Sequence, residues 1–161
     1  MRIGFGHDVH ALVTGRPLVI GGVLIPYHRG PAGHSDADVL IHAIMDALLG
    51  AAAMRDIGTH FPDSDQRFKN ADSKRLLQQV IELIAEKGYR VSNVDVTVCL
   101  QTPAISHYIP EMLKILADLM RIDPGQVSVK ATTTEHLGFI GREEGISAYA
   151  VALLISSDFS R

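Results

Sequence analysis

Apolar and polar residues alternate along Arg2-Ile-Gly-Phe-Gly-His-Asp-Val-His10, so residues 2–10 are expected to form a strand. Pro17-Leu-Val-Ile20 and Val23-Leu-Ile-Pro26 flank Gly21-Gly22 and predict a hairpin with a glycine turn. Residues 36–53 carry a helical apolar pattern, with Ser35 expected as N-cap and Asp38 three positions on, as in a capping box. Gly58, Pro62, Asp63, Ser64 and Asp65 break the pattern across residues 55–71, which read as a long irregular loop. Loops of that length in a compact domain usually carry function.

Helical spacing returns over residues 72–87 and stops at Gly88. Val94, Val96, Val98 and Leu100 alternate with Asp95, Thr97 and Cys99, which marks a strand. Ile109, Met112, Leu113, Leu116, Leu119 and Met120 predict a third helix over residues 107–121. Val127 to Thr133 reads as another strand, and Ile146 to Ile155 as a last one that is apolar on both faces. Helices can cover one of those faces. The other needs a second cover, and a neighbouring subunit is the natural candidate. The order of elements predicts an α+β fold with helices on one side of the sheet.

At 161 residues the chain is expected to form one domain spanning residues 1–161. A net charge of −3, with the bases spread along the chain, argues against a nucleic-acid footprint. The single cysteine, Cys99, cannot form an internal disulfide. The chain opens in a strand-like pattern rather than a signal peptide, and no apolar run reaches the roughly twenty residues that span a membrane. A cytoplasmic protein with no membrane partner is the expectation.

Asp8 and His10 are two residues apart, so on a strand both side chains leave the same face. Two imidazoles and one carboxylate form a recurring set for catalytic zinc, and His42 supplies the second imidazole. Asp38, His42 and Asp46, four residues apart in turn, make one polar stripe on an otherwise apolar helix. A solvated face explains the two aspartates alone. A histidine centred between them fits a metal ligand with supporting carboxylates. His34-Ser35 precedes the helix, where free backbone N–H groups favour an anion; as plain loop and cap residues they would look the same. Thr132-Thr-Thr-Glu135 offers three hydroxyls and a carboxylate, groups that phosphate and a hard cation use, although threonine runs are common in strands. Gly138-Phe-Ile-Gly-Arg-Glu-Glu-Gly145 is either a mobile loop or a substrate-contacting turn.

These motifs in register along nearly the whole chain resemble the 2-C-methyl-D-erythritol 2,4-cyclodiphosphate synthase family. The carriers are residues 2–10, His34-Ser-Asp-Ala-Asp38 with His42, and Asp46-Ala-Leu-Leu-Gly-Ala-Ala52. They continue through Arg55-Asp-Ile-Gly-Thr-His-Phe-Pro-Asp63, Asn93-Val-Asp-Val-Thr97, Val129 to Glu135, and Leu137-Gly-Phe-Ile-Gly-Arg142. The resemblance implies a ferredoxin-like variant of a mixed sheet, with the sheets facing inward in a homotrimer and active sites between subunits. It implies one zinc per subunit on Asp8, His10 and His42, and Mg²⁺ or Mn²⁺ held with the diphosphate through Glu135. His34 and Thr133 would stabilise the transition state, with Ser35, Thr132 and Thr134 near the phosphates. Substrate contacts would come from Asp8, Val9, His10 and Asp46, and from Asp56, Ile57, Gly58, Phe61, Pro62, Asp63, Ser64 and Asp65 around the methylerythritol. Leu100, Gln101, Thr102, Pro103, Ala104, Ile105 and Ser106 would form the cytidine pocket largely through backbone groups, with Phe139 and Arg142 completing the set.

Two departures stand out. His7 occupies a position where relatives usually carry an aromatic, with Phe5 two residues earlier as if the pair were exchanged. In the family this position, with the residues matching Arg142 and Glu144, faces a cavity on the threefold axis that can take an isoprenoid diphosphate. Ala104 stands where a lysine is often found after the proline, which leaves backbone contacts but no side-chain cation for the nucleotide diphosphate.

The resemblance implies that 4-diphosphocytidyl-2-C-methyl-D-erythritol 2-phosphate cyclises with release of CMP. Two other readings fit the residues. A zinc hydrolase would use Asp38 or Asp46 as base and would incorporate solvent oxygen. A non-catalytic trimer binding an isoprenoid diphosphate would release no CMP.

Overall fold

The computed structural model describes residues 1–62 and 64–158. Strand β1 (Arg2–Thr14) runs past His10 because it changes partner. Arg2 to Ala11 pair antiparallel with β7 (Gly145–Ser156), and Leu12 to Thr14 pair with the short β4 (Arg29–Pro31). The hairpin of β2 (Leu18–Ile20) and β3 (Val23–Ile25) forms at its expected place around Gly21 and Gly22, both at positive φ. Strand β5 (Tyr89–Cys99) pairs antiparallel with β7 and parallel with β6 (Val127–Thr132). The sheet order is β4-β1-β7-β5-β6, a mixed sheet in an α+β chain, as expected.

Three long helices pack on one face of this sheet. They are α1 (Val39–Ala51), α3 (Ser73–Glu86) and α4 (Ile109–Met120). From β7, Ile146, Ala148, Ala150, Ala152 and Leu154 point into that layer and are fully buried. Their small side chains leave room for α1 to lie close. Tyr149 and Val151 leave the opposite face, where Ile3, Phe5 and Val9 of β1 are also exposed. Period-two alternation thus gives β7 one packed face and one apolar face without a cover in the single chain. His7 is on that open face with its ring stacked on Tyr149 at 4.6 Å, while Phe5 lies 6.4 Å from the same ring. Both residues of the apparent exchange therefore share one face.

The start of α1 differs from expectation. Asp38, not Ser35, is the N-cap, and its carboxylate accepts from the Ile41 N–H. Ser35 instead accepts from the Ala37 N–H, and Ala37 has φ 56°. That left-handed residue separates the serine from the first helical turn. The stretch 55–71 is also less irregular than expected. It holds a one-turn helix α2 (Ile57–His60), capped by Asp56, and a 3₁₀ turn over Gln66–Phe68 capped by Asp65.

Candidate active site

Asp8 and His10 leave β1 toward the helices, and His42 comes to meet them from the first turns of α1. His10 Nε2 lies 2.8 Å from Asp8 Oδ2, and His42 Nδ1 lies 3.1 Å from the same oxygen. The two imidazole nitrogens are 3.4 Å apart. One ligand atom from each residue falls within 4.8 Å of the others, so the group could hold a metal ion. Three converging lone pairs repel unless a positive charge sits among them, and two nitrogens with one oxygen is a donor set suited to zinc. The donor chemistry therefore fits the cation expected from sequence.

Burial would raise the Asp8 pKa, but hydrogen bonds and charge from His10 and His42 outweigh it and hold the carboxyl well below the usual range. Burial pushes His42 the other way, toward its neutral form, while its bond to Asp8 and that charge raise it overall. The Asp8 carboxylate is thus kept ionised where a cation would sit.

A cleft of about 450 Å³ opens beside this cluster, lined by Asp8, His10, His34, Ser35, His42, Ile57, Gly58, Phe61 and Pro62. Most of the residues expected near the metal and the methylerythritol are therefore brought together. Asp46 is half-buried, with Oδ1 accepting from the Ile57 N–H at 2.8 Å, which fixes the start of α2 beside the cleft. Burial raises its pKa despite that bond. Asp56 accepts from the N–H and hydroxyl of Thr59, Asp65 pairs with Arg67 at 2.6 Å, and Ser64 is exposed. Asp63 lies outside the described residues.

The remaining expected residues form a second group. Val9, Ser147, Cys99 and Thr132 stand in one row across the sheet. Three strand spacings of roughly 4.8 Å put Thr132 about 14 Å from β1. Next to it, the Leu100 N–H donates to the Thr132 carbonyl and the His136 N–H donates to Gln101 Oε1. The 100–106 and 132–136 loops are thereby joined. Thr133 donates to Glu135 at 3.1 Å, Thr134 donates to the Leu137 carbonyl, and Glu135 has φ 51°. Within one chain this group does not line the metal-side cleft.

The family model described as the YgbB family matches residues 1–155. The chain belongs to the YgbB family. It is 64% identical over 154 residues, 96% of each chain, to the 2-C-methyl-D-erythritol 2,4-cyclodiphosphate synthase of Phocaeicola vulgatus. The enzyme of the same name from Porphyromonas gingivalis is 58% identical over 156 residues, 97% of this chain and 96% of its own. A Plasmodium falciparum structure titled as an IspF CDP complex superposes with a TM-score of 0.84 at 37% identity, covering 96% of each chain. The bifunctional IspDF of Campylobacter jejuni gives a TM-score of 0.93 at 41% identity, but this chain spans only 43% of it.

Several site features of this YgbB chain escape a sequence reading. Asp38 was expected to support His42, yet its two oxygens accept from the N–H groups of Gly21, Gly22 and Ile41. Burial pushes its pKa up to about 6 against those three bonds. It anchors the hairpin turn to α1 and is sealed from the cleft, so it is not placed to act as a base. The partners His42 does have, besides Asp8 and His10, are Ser73 and Ser35. Ser73 carries no motif, and only its fully buried position at the start of α3 marks it out. Among the described residues, no helix is long and apolar enough to cross a membrane.

Proposed function

We propose that this protein converts 4-diphosphocytidyl-2-C-methyl-D-erythritol 2-phosphate to 2-C-methyl-D-erythritol 2,4-cyclodiphosphate, releasing CMP, in isoprenoid biosynthesis. The observation that carries this reading is the Asp8–His10–His42 cluster within a chain 64% identical to a synthase of that name. The 2-phosphate attacks the β-phosphorus and CMP leaves. A phosphate monoester with a second pKa near ~6 is already largely dianionic at neutral pH, so the nucleophile needs no strong base. The engagement of Asp38 by three backbone N–H groups agrees with this.

The obstacle is bringing two anions into line. Asp8, His10 and His42 would hold zinc, and Glu135 would hold magnesium or manganese with the diphosphate. When bound, these cations supply neutralisation of charge and orientation of the phosphates. His34 and Thr133 stabilise the transition state, and Ser35, Thr132 and Thr134 bind the phosphate oxygens. Asp46 and the segment from Asp56 to Asp65 hold the methylerythritol, with Phe139 and Arg142 nearby. Residues 100–106 take the cytidine, in keeping with the CDP named in the Plasmodium falciparum structure.

We read the working unit as a homotrimer. The row from Val9 to Thr132 separates the metal cluster from the threonine loop, so a neighbouring subunit is needed to bring the two groups into one site. The uncovered apolar face of β1 and β7 supports the same reading, as such a surface favours association. Facing inward, His7, Phe5, Tyr149 and the Arg142–Glu144 ion pair would line a central cavity able to take an isoprenoid diphosphate. The cytosol is the compartment we assign.

The test is CMP release from the named substrate, with and without chelator, by protein of measured molar mass. Stoichiometric CMP and cyclic product, lost on chelation and restored by zinc with magnesium, are expected from a trimer. Solvent ¹⁸O in the product would instead mark a hydrolase, and absence of CMP would leave only a binding protein.

A further inference from the structure

His42 has both ring nitrogens occupied by distinct sets of neighbours. Nδ1 faces Asp8 and His10, while Nε2 lies 3.0 Å from Ser73 Oγ and 3.3 Å from Ser35 Oγ. An imidazole that ligates a metal through Nδ1 carries its one proton on Nε2, which then needs an acceptor. Asp36 orients that acceptor from one step further out. Its Oδ2 accepts from the Ser73 N–H at 3.0 Å, and its Oδ1 makes a short hydrogen bond with Ser73 Oγ. An ionised carboxylate only accepts, so the Ser73 hydroxyl must donate to Asp36. The lone pairs of Ser73 are then what His42 Nε2 meets, an acceptor ready for the Nε2 proton. Nδ1, 3.1 Å from Asp8 Oδ2 and 3.4 Å from His10 Nε2, is the atom that faces the ligand cluster.

The local structure holds this chain of bonds in place. Ser73 is the first residue of α3 and is fully buried, so water does not compete for its hydroxyl. Asp36 is fixed by its own N–H donating to the Ala71 carbonyl, and the Asn70 N–H donates to His34. The loop before α1 is thereby docked on the loop before α3, two segments more than thirty residues apart in sequence. Ser35 Oγ is a second acceptor for Nε2, while also taking the Ala37 N–H at 3.0 Å.

We propose that Ser73 and Asp36 are positioning residues of the metal centre, holding the His42 ring in the orientation that offers Nδ1 to the ion and giving Nε2–H its acceptor once the ion is bound. The inference rests on the metal-centre reading of Asp8, His10 and His42. Outer partners of a ligating histidine typically change metal affinity by about 10- to 100-fold when removed. Ser73→Ala keeps the volume nearly unchanged but deletes the acceptor. Ser73→Thr keeps a hydroxyl, and Asp36→Asn weakens the hold on it.

Zinc affinity is measured by competition with a chromophoric chelator on full-length protein, and ring ¹H–¹⁵N correlation spectra of the zinc-loaded protein report solvent exchange of the His42 Nε2–H. Wild type is expected to bind zinc and to keep that N–H protected by its bond to the buried Ser73. Ser73→Ala should bind zinc about 10- to 100-fold more weakly with a faster-exchanging ring N–H, Asp36→Asn should fall between, and Ser73→Thr should recover most of the affinity. A merely structural hydrogen bond would lower the unfolding midpoint and leave zinc affinity alone, which overturns the proposal. So does a zinc-loaded wild type whose His42 Nε2–H exchanges freely with solvent, a result that needs no variant to fold. Wild type that binds no zinc overturns the metal-centre reading together with this one, whereas CMP release can fail without touching it.

Discussion

Gly6 of β1 lies directly beneath Ala43 of α1: a Cβ built on Gly6 would stand 2.0 Å from the Ala43 carbonyl oxygen and 2.6 Å from the Ala47 N. Helix and strand backbones approach here more closely than any side chain permits. Gly4, two residues earlier on the same face, meets the Ala47 carbonyl in the same way. This contact seats α1 low on the sheet, and it is why His42, next to Ala43, reaches Asp8 within 3.1 Å. The metal cluster is a consequence of backbone packing as much as of ligand identity.

Gly6→Ala should therefore both destabilise the fold and open the cluster. Since backbone atoms would have to move, the cost is expected at or above the upper end of the usual overpacking range, about 3 kcal/mol. Urea unfolding gives the stability, and zinc affinity gives the site. A variant as stable as wild type with full affinity would show that α1 is not held by this approach.

His42→Ala should lose zinc and CMP release while the chain stays folded. The residue lines the cleft, and its partners Asp8, Ser73 and Ser35 keep other hydrogen bonds, to His10, Asp36 and the Ala37 N–H. One ligand of three is deleted, so metal content after purification should fall to trace levels and turnover by at least about 100-fold. Normal zinc content in the variant would remove His42 from the metal set.

The extent to which these features can be read from sequence follows from how local they are. Asp8 and His10 are legible because a period of two fixes both on one face, and His42 because a polar residue in so apolar a helix needs a reason. The hairpin and the three long helices follow from patterns spanning fewer than about twenty residues. What failed is what depends on distant partners. Ser35 and Asp38 are equally good caps by type, and the choice is made by Gly21 and Gly22, whose N–H groups capture Asp38 from another element. Ser73 and Asp36 are joined across 37 residues with no spacing rule to reveal them. The extension of β1 to Thr14 depends on a partner, β4, too short to predict alone.

Glu135→Gln should raise the magnesium needed for half-maximal CMP release on the order of tenfold and leave zinc content unchanged. Magnesium favours carboxylate oxygen, and an amide offers one neutral oxygen in its place. The amide oxygen can still accept from Thr133, so the loop is expected to keep its shape. An unaltered magnesium dependence would place Glu135 outside the site.

Asp38→Ala is expected to damage stability and spare the metal. It removes the N-cap of α1 and leaves the N–H groups of Gly21, Gly22 and Ile41 without their acceptor. Loss of a cap costs about 1 kcal/mol, and buried donors left without partners cost about 1–3 kcal/mol more. Urea titration should register this sum, with zinc affinity changed by less than about threefold. A large loss of zinc at unchanged stability would mean that Asp38 supports His42 after all.

Cys99 gives a prediction with pH. Burial raises its thiol pKa. The thiolate is the form that reacts, so a raised pKa means less reactive thiol at any pH below it. The folded protein should therefore react with iodoacetamide more slowly at pH 8 than the urea-unfolded chain. Its rate-against-pH curve should also have a midpoint above the ordinary value of about 8.5. The linkage has a fixed sign. Because the folded pKa lies above the unfolded one, the stability this thiol contributes is complete below the unfolded pKa and is lost as pH rises through the folded one. Cys99→Ala should remove that loss, flattening stability against pH on the alkaline side. A native midpoint at or below that of the unfolded chain would mean that burial does not govern the thiol.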